Sequence, residues 1–234
     1  WSSDVCSSDL IARPQSGYYV AARPERELAA PQAQVMRDEA VDINTYIFDM
    51  LQASRDASVM PFASAFPDPR LFPLQQLNRS LAQVSKTATA MSVIENLPPG
   101  NDELRHAIAR RYAQQGMTIS PDEIVITTGA LDALNLSLQA VTEPGDWVIV
   151  ENPCFYGALQ ALERLRLKAL SIATDVKEGI DLTALEQALQ EYPVKACWLM
   201  TNSQNPLGFT LSPEKKAHLV ALLEKYHVML IEDD

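Results

Sequence analysis

The sequence predicts an α/β fold, a three-layer α/β/α sandwich around a mainly parallel sheet. Beyond residue 120, short apolar runs alternate with stretches at helical spacing, which is typical of right-handed crossovers between parallel strands. A polar cluster also directly follows each of four apolar runs, at 127–130, 151–153, 201–208 and 232–234. Ligands of open parallel sheets bind beyond the carboxyl ends of the strands, so we expect these clusters to face one crevice.

The beginning of the chain is predicted to lie outside this fold. Residues 1–10 are rich in Ser and Asp without any periodicity and form an unmatched tail. In residues 11–20 a Ser-Gly turn separates strand-forming residues, which predicts a small hairpin. Residues 21–40 hold Pro24 and Pro31 among alanines and charges, a composition typical of a linker.

Residues 41–234 are predicted to form the main domain, with a helical segment at 41–120 and alternating strands and helices at 121–234. The first segment is predicted to hold helices at 41–57, 74–88 and 102–115, the last with Asn101 as its cap and Gly116 as its stop. The second is predicted to hold strands near 123–127, 147–150, 167–172, 195–200 and 228–231, and helices near 130–141, 156–166, 181–190 and 212–225.

Composition narrows the function classes. The 234 residues carry a formal net charge of -11, which argues against a surface-wide nucleic-acid interface. Three cysteines and three histidines without ligand spacing indicate neither a disulfide framework nor a metal site, and favour a reducing cytoplasm. No apolar run reaches the roughly 18 residues of a membrane span, and no signal peptide is apparent. The chain starts at Trp1 and stops directly behind a predicted strand, so we interpret it as a fragment.

Three positions near the predicted strand ends could contact a ligand. Gly129 precedes a helix whose first backbone N–H groups could bind an anion such as phosphate, although a glycine there often only makes the turn. Phe155 could stack on a flat ligand or be an ordinary core aromatic. Asn205 begins an Asn-Pro-Leu-Gly turn, which would place its amide in the crevice, although such a turn is usually only a turn.

Asp233 is the fourth candidate, because it follows the apolar run Val228–Ile231. An unpaired carboxylate at the end of a buried strand is costly, so a cationic group should meet it. A helix amino terminus or an arginine would be a structural partner. The protonated ring nitrogen of a cofactor would be a functional one.

These residues, in this order, resemble the fold-type I, class I/II aminotransferases, which use pyridoxal 5'-phosphate. The stretch Leu97–Arg105 also looks like the family's segment before the large domain, and the resemblance covers about residues 60–234. It implies that the backbone N–H groups of Ala130 and Leu131, at the Gly129 turn, bind the phosphate. It further implies that Phe155 stacks on the pyridine ring, Asn205 donates to its phenolate oxygen and Asp233 pairs with the ring nitrogen.

The same resemblance implies what the chain lacks. The lysine that binds the coenzyme covalently is expected beyond Asp234, as are the family's arginine for the substrate carboxylate and its tyrosine. No lysine of this chain lies at the predicted crevice. We therefore expect no catalytic residue in this chain and no transamination by the fragment alone.

The hairpin at 11–20 resembles the wing of the winged helix-turn-helix domain in GntR regulators. A wing, a linker and an aminotransferase-like domain are the layout of the MocR subgroup of transcription factors. The resemblance implies a homodimer that senses a small amino compound and binds DNA through a winged helix absent from this chain. The alternatives are a metabolic aminotransferase acting on an amino acid and a 2-oxo acid, and an α/β domain that binds another phosphate ligand.

Overall fold

The computed structural model describes residues 10–13, 17–20, 47–48, 51–52, 67–94 and 96–234. The chain divides into two compact units, Trp1–Gln32 and Ala33–Asp234. The first contains the strands β1 (Leu10–Arg13) and β2 (Gly17–Val20), which pair antiparallel with Leu10 opposite Val20. The hairpin predicted over 11–20 is thereby confirmed. Leu10, predicted to belong to the tail at 1–10, is instead the first residue of β1. The rest of that tail and the linker at 21–40 lie outside the described residues.

The second unit begins with helices. Residues 47, 48, 51 and 52 are helical, and the rest of the helix predicted at 41–57 lies outside the described residues. The helices α1 (Leu74–Thr87) and α2 (Asp102–Gln114) follow, close to their predicted bounds. The Asn101 side chain accepts a hydrogen bond from Leu104 N at 3.0 Å, so the predicted cap is confirmed. Gly116 lies just beyond the helix with a φ of +84°, which favours glycine.

The remaining elements form the predicted sandwich. The helices are α3 (Ala130–Val141), α4 (Tyr156–Arg164), α5 (Leu182–Glu191) and α6 (Pro213–Lys225). The strands are β3 (Trp147–Asn152), β4 (Lys168–Asp175), β5 (Gly179–Ile180), β6 (Val194–Leu199) and β7 (Met229–Glu232). They form a five-stranded sheet in the order β5-β4-β3-β6-β7, parallel except for β5.

Alternate residues of the strands enter two hydrophobic cores. Ile149 and Leu199 pack with α5 and α6 on one face of the sheet, whereas Val148 and Trp198 pack with α3 and α4 on the other. The central strands are therefore buried on both faces, as is usual for parallel sheets covered by helices. These two layers of helices fix the crossover geometry, so the loops after β3, β6 and β7 lie at one edge of the sheet.

The strand predicted at 123–127 is wrong. Residues 121–123 form a 3₁₀ turn, and residues 124–127 pair with no strand of the described chain. Within that stretch, Ile126 N donates to Pro99 O at 2.8 Å, and Val125 is 62% exposed. A short apolar run predicts a buried strand, but a strand also needs a neighbour for its backbone groups. The two-residue strand β5, which turns back along β4, was not predicted.

Candidate functional site

The site lies at the edge of the sheet where the parallel strands end. Asp233 N donates to Leu199 O at 3.1 Å, which joins the residue after β7 to the end of β6. Helix α3 contacts both β6 and β7. Leu131, in its first turn, lies beside Gly157 and Phe155 after β3, so the start of α3 belongs to the same edge. The loops after β3, β6 and β7 and the start of α3 are the polar clusters that the sequence predicted to share a crevice.

The start of α3 offers unpaired backbone donors. Gly129 is the residue before the helix, and it provides no side chain to cap it. The N–H groups of Ala130 and Leu131 have no acceptor among the described residues, since the first bond of the helix runs from Ala133 N to Gly129 O at 3.0 Å. The Asp132 carboxylate lies in the same turn, but it accepts bonds from the N–H and hydroxyl groups of Thr128 at 3.1 and 3.0 Å.

Phe155 and Leu131 are brought together over Gly157. A methyl group on Gly157 would lie 2.4 Å from Phe155 Cε1 and 2.9 Å from Leu131 Cδ2, so the glycine makes room for both side chains. The Phe155 ring is half-buried, with its centroid 4.6 Å from the Tyr156 ring and 6.5 Å from that of Trp198. The Phe155 ring can therefore lie in this position only because Gly157 has no side chain.

Asn205 lies at the start of a tight turn after β6. The turn is closed by a hydrogen bond from Gly208 N to Gln204 O, and the Asn205–Pro206 peptide bond is cis. The Asn205 side chain is half-buried and makes no hydrogen bond within the described part of the chain. Its amide is therefore a free donor and acceptor at this edge.

Two buried polar side chains beneath the loops were not predicted as site residues. Gln204 is 1% exposed and Glu151 is 3% exposed. Glu151 accepts hydrogen bonds from Met200 N at 3.2 Å and from Gln204 Nε2 at 3.3 Å. Burial raises the pKa of Glu151 to about 6, and these two hydrogen bonds lower it only in part. The signal in the sequence was the same as for Asp233, an acid directly after an apolar run.

The Asp233 carboxylate is half-buried and lacks a partner. Neither a hydrogen bond nor an ion pair engages it among the described residues, so no structural cation fills the role that its position demands. Burial raises the pKa of Asp233, and the neighbouring charge of Asp234 raises it further. A cationic group from a ligand would relieve both effects.

Lys215, Lys216 and Cys154 take other roles. Lys216 Nζ donates to Asn202 Oδ1, and Asn202 Nδ2 donates to Asp234 Oδ1 at 2.6 Å, which joins α6 to the end of β7. Lys215 instead bonds to a backbone carbonyl. Burial, followed by the charge of Glu151, raises the pKa of the Cys154 thiol to about 12, so it is a packed thiol rather than a nucleophile.

Comparison with known proteins identifies the family. The family model described as aminotransferase class I and II matches residues 68–234. The chain belongs to the class I and II aminotransferases. Among solved structures, a kynurenine aminotransferase of Pyrococcus horikoshii in complex with PMP is 27% identical, with a TM-score of 0.66. That match covers 81% of this chain and 48% of the other chain, and it confirms the predicted fold.

Relatives of this aminotransferase segment include transcriptional regulators. YdcR, an HTH-type transcriptional regulator of Escherichia coli, is 86% identical over 225 residues, which are 96% of this chain and 48% of YdcR. PtsJ, the vitamin B6 salvage pathway transcriptional repressor of Salmonella typhimurium, is 35% identical over 72% of this chain and 37% of its own length. These names confirm the resemblance to the MocR subgroup. The chain spans about half the length of the curated relatives it matches.

Pyridoxal phosphate dependence is a property of this family, and the residues present fit the coenzyme. The half-buried Asp233 carboxylate lacks a cation, the first turn of α3 has unpaired donors, and the Asn205 amide is free. No group of His, Cys, Asp and Glu in the described ranges could hold a metal ion. None of the described helices has the length and apolar character to cross a membrane.

Proposed function

We propose that this chain is the coenzyme-binding segment of a MocR-type transcriptional regulator and that it binds pyridoxal 5'-phosphate at the edge of its sheet. The N–H groups of Ala130 and Leu131, after the Gly129 turn, hold the phosphate. Phe155 stacks on the ring, Asn205 donates to the phenolate oxygen and Asp233 accepts from the ring nitrogen. When bound, the coenzyme supplies an electron sink for bonds at the carbon that bears the amino group.

The observation that carries this proposal is the Asp233 carboxylate. It lies at the end of a parallel strand, its pKa is raised by burial, and it has no cation within the described residues. A protonated pyridine nitrogen is a flat, cationic N–H donor, and pairing with it would lower the pKa of the Asp233 carboxyl again. Asp233 would in turn keep the proton on that nitrogen.

The whole protein is proposed to be a homodimer that senses a small amino compound and controls transcription. The hairpin β1–β2 would be the wing of a winged helix at 11–20, followed by a linker at 21–40 and the aminotransferase-like domain at 41–234. DNA would bind through the parent's winged helix. The name of PtsJ supports a ligand derived from vitamin B6. The cytoplasmic location stays a prediction.

The test is Asp233→Asn in the full-length protein, with Asp146→Asn as the matched control. Asp146 lies before β3, at the opposite edge of the sheet, and its replacement changes the net charge by the same amount. A hydrogen bond to a charged group contributes about 1.5–3 kcal/mol, so we expect Asp233→Asn to weaken coenzyme binding by roughly tenfold to a hundredfold. The visible absorption of the bound coenzyme should shift as well. The control should change neither quantity.

Unchanged affinity and absorption in Asp233→Asn would overturn the assignment of this residue. A wild-type protein without visible absorption after addition of pyridoxal phosphate would favour another phosphate ligand. The metabolic alternative draws support from relatives such as the aromatic-amino-acid aminotransferase 1 of Thermococcus litoralis, 28% identical over 80% of this chain and 46% of its own length. Rapid turnover of an amino acid and a 2-oxo acid, without binding to DNA, would favour it.

A further inference from the structure

The Gln204 side chain joins two loops that belong to different strands. Its Nε2 donates to Pro153 O at 2.9 Å, in the loop after β3. Its Oε1 accepts from Leu207 N at 2.7 Å, in the turn after β6. Pro153 lies two residues before Phe155, and Gln204 directly precedes Asn205. The buried Gln204 amide therefore contacts the loop that carries the Phe155 ring and the turn that carries the free Asn205 amide.

Only one orientation of the Gln204 amide satisfies its surroundings. Nε2 faces two acceptors, Pro153 O and Glu151 Oε2, and a primary amide has two hydrogens to donate. A flipped amide would direct its oxygen at a carbonyl and a carboxylate and leave Leu207 N facing a donor. Because the group is 1% exposed, water cannot replace a lost partner.

We propose that Gln204, oriented by Glu151, is a positioning residue that sets the spacing between the Phe155 ring and the Asn205 amide, the two groups that would contact the coenzyme from these loops. This inference rests on the proposed function. It adds two residues that do not touch the coenzyme themselves. Gln204 acts through Pro153 and Leu207, and Glu151 acts through the second hydrogen of the Gln204 amide.

Glu151 is held beneath the loops in a way that suits this role. Both of its donors, Met200 N and Gln204 Nε2, converge on the same carboxylate oxygen, Oε2. That oxygen therefore ties the end of β6 to the amide of Gln204. The titratable neighbour is Cys154, whose pKa is raised to about 12, so its thiol stays protonated across the physiological range.

The experiment uses the full-length protein with pyridoxal phosphate as the probe. Gln204→Leu has a similar volume and removes all three hydrogen bonds. Gln204→Glu places a second carboxyl group against Glu151, and the new group can donate to Pro153 O only when it is itself protonated. Gln187→Glu, on the exposed face of α5, is the matched control for the added charge.

We expect Gln204→Leu to weaken coenzyme binding by about tenfold and to shift the visible absorption of the bound coenzyme. Gln204→Glu should bind the coenzyme as weakly as Gln204→Leu at about pH 8. At about pH 5.5 its affinity should recover part of the way to that of the wild type at the same pH, because a proton on the new carboxyl group can then donate to Pro153 O. Gln187→Glu should follow the wild type at both pH values. A purely structural role would lower the melting temperature and leave the affinity and spectrum of the folded fraction unchanged, which would overturn the proposal.

Hydrogen exchange of the coenzyme-free protein separates this inference from the proposed function. Leu207 N–H should exchange faster in Gln204→Leu than in the wild type, because its acceptor is lost, and should stay protected in Gln204→Glu, whose carboxyl oxygen can still accept from it. Unchanged exchange in Gln204→Leu overturns the proposed linkage of the loops. Faster exchange with an unchanged affinity for the coenzyme overturns the positioning role alone. A wild type that binds no coenzyme overturns the proposed function and the positioning role with it, whatever the exchange shows.

Discussion

The sheet and the segment that precedes it differ in how their apolar residues are used. From α3 to β7, the apolar residues fill two cores, and Leu185 and Val148 are fully buried. In residues 67–127, by contrast, the helix α1 has no buried residue, and Leu81 is 68% exposed. Both regions have the apolar spacing of amphipathic helices. The spacing therefore predicts a helix in each, but only the sheet provides a surface for that helix to cover in the described chain.

The hydrogen bonds of buried polar side chains also differ between the two regions. In the segment at 67–127, Arg105 is the buried polar residue, and it bonds to Pro121 O at 2.9 Å and to Asp102 Oδ1 at 2.7 Å. This guanidinium holds α2 to the 3₁₀ turn at 121–123. At the crevice, Glu151 and Gln204 are more deeply buried and join loops that are 51 to 53 residues apart in sequence. Local contacts therefore organise the first region, and distant ones organise the second.

Leucine truncation should separate the two regions most clearly. Leu185→Ala removes a fully buried side chain of α5 and should destabilise the 234-residue chain by about 3 kcal/mol, through lost burial and the cavity left behind. Leu81→Ala, in α1, should change stability by less than about 0.5 kcal/mol. Urea unfolding of both variants measures the contrast. A cost of Leu81→Ala close to that of Leu185→Ala would mean that the apolar face of α1 is packed in solution.

Stability at the crevice should depend on the proton of Glu151. Its pKa is raised from 4.5 to about 6, so the folded state binds this proton more tightly than the unfolded state. The resulting stabilisation is complete below about pH 4.5 and is lost as the pH rises through about 6, a change of about 2 kcal/mol. Glu151→Gln lacks this titration, and its single amide oxygen can accept the two bonds that now converge on Oε2.

The Glu151→Gln variant should therefore be more stable than the wild type by up to about 2 kcal/mol above pH 7, and no more stable near pH 4.5. Unfolding free energies measured across this range test the prediction. Glu191→Gln, an exposed position at the end of α5, is the control for the lost charge and should show no such dependence. An equal gain in the unfolding free energy of Glu151→Gln at about pH 4.5 and above pH 7 would show that packing, rather than the ionisation of Glu151, is responsible.

The sequence predicted the elements of the sheet region closely, because each has its own local signal. Helix α3 has its predicted bounds, since Gly129 marks its start and apolar residues recur along one face. The stretch at 123–127 has the short apolar run of a strand, but pairing depends on a neighbour that no local pattern specifies. The hydrogen bonds of Gln204 and Glu151 were not predicted for the same reason, because they join residues that follow separate strands or lie in them.

Asp233 and Glu151 show how far the sequence can lead within the site. Each is an acid that directly follows an apolar run, and the cost of burying a charge predicts a partner for both. In the structure Glu151 finds its donors in Met200 and Gln204, whereas Asp233 finds none in the described residues. Whether an acid at this edge finds a donor depends on the loops around it. The sequence could therefore predict two acids at this edge, but not which of them finds donors within the described chain.

The smallest expected effects come from the helix caps, one in the sheet region and one in the segment before it. The Asp181 carboxylate accepts from Thr183 N at 2.8 Å and from Ala184 N at 3.1 Å at the start of α5, and Asn101 caps α2 through one such bond. Asp181→Ala should lower the global unfolding free energy by about 1 kcal/mol, because α5 unfolds only with the core beneath it. Asn101→Ala should remove a cap of similar strength but act locally, since α2 is joined to its surroundings chiefly through Arg105.

Hydrogen exchange distinguishes the two cases. In Asn101→Ala, faster exchange should be confined to the first turn of α2, whereas in Asp181→Ala the amides of β3 and β6 should lose protection to the same extent as those of α5. An equal loss across the sheet in Asn101→Ala would mean that α2 unfolds together with the sheet. The segment before the sheet would then be part of one cooperative unit despite its exposed apolar residues, and the contrast between the two regions would concern packing alone.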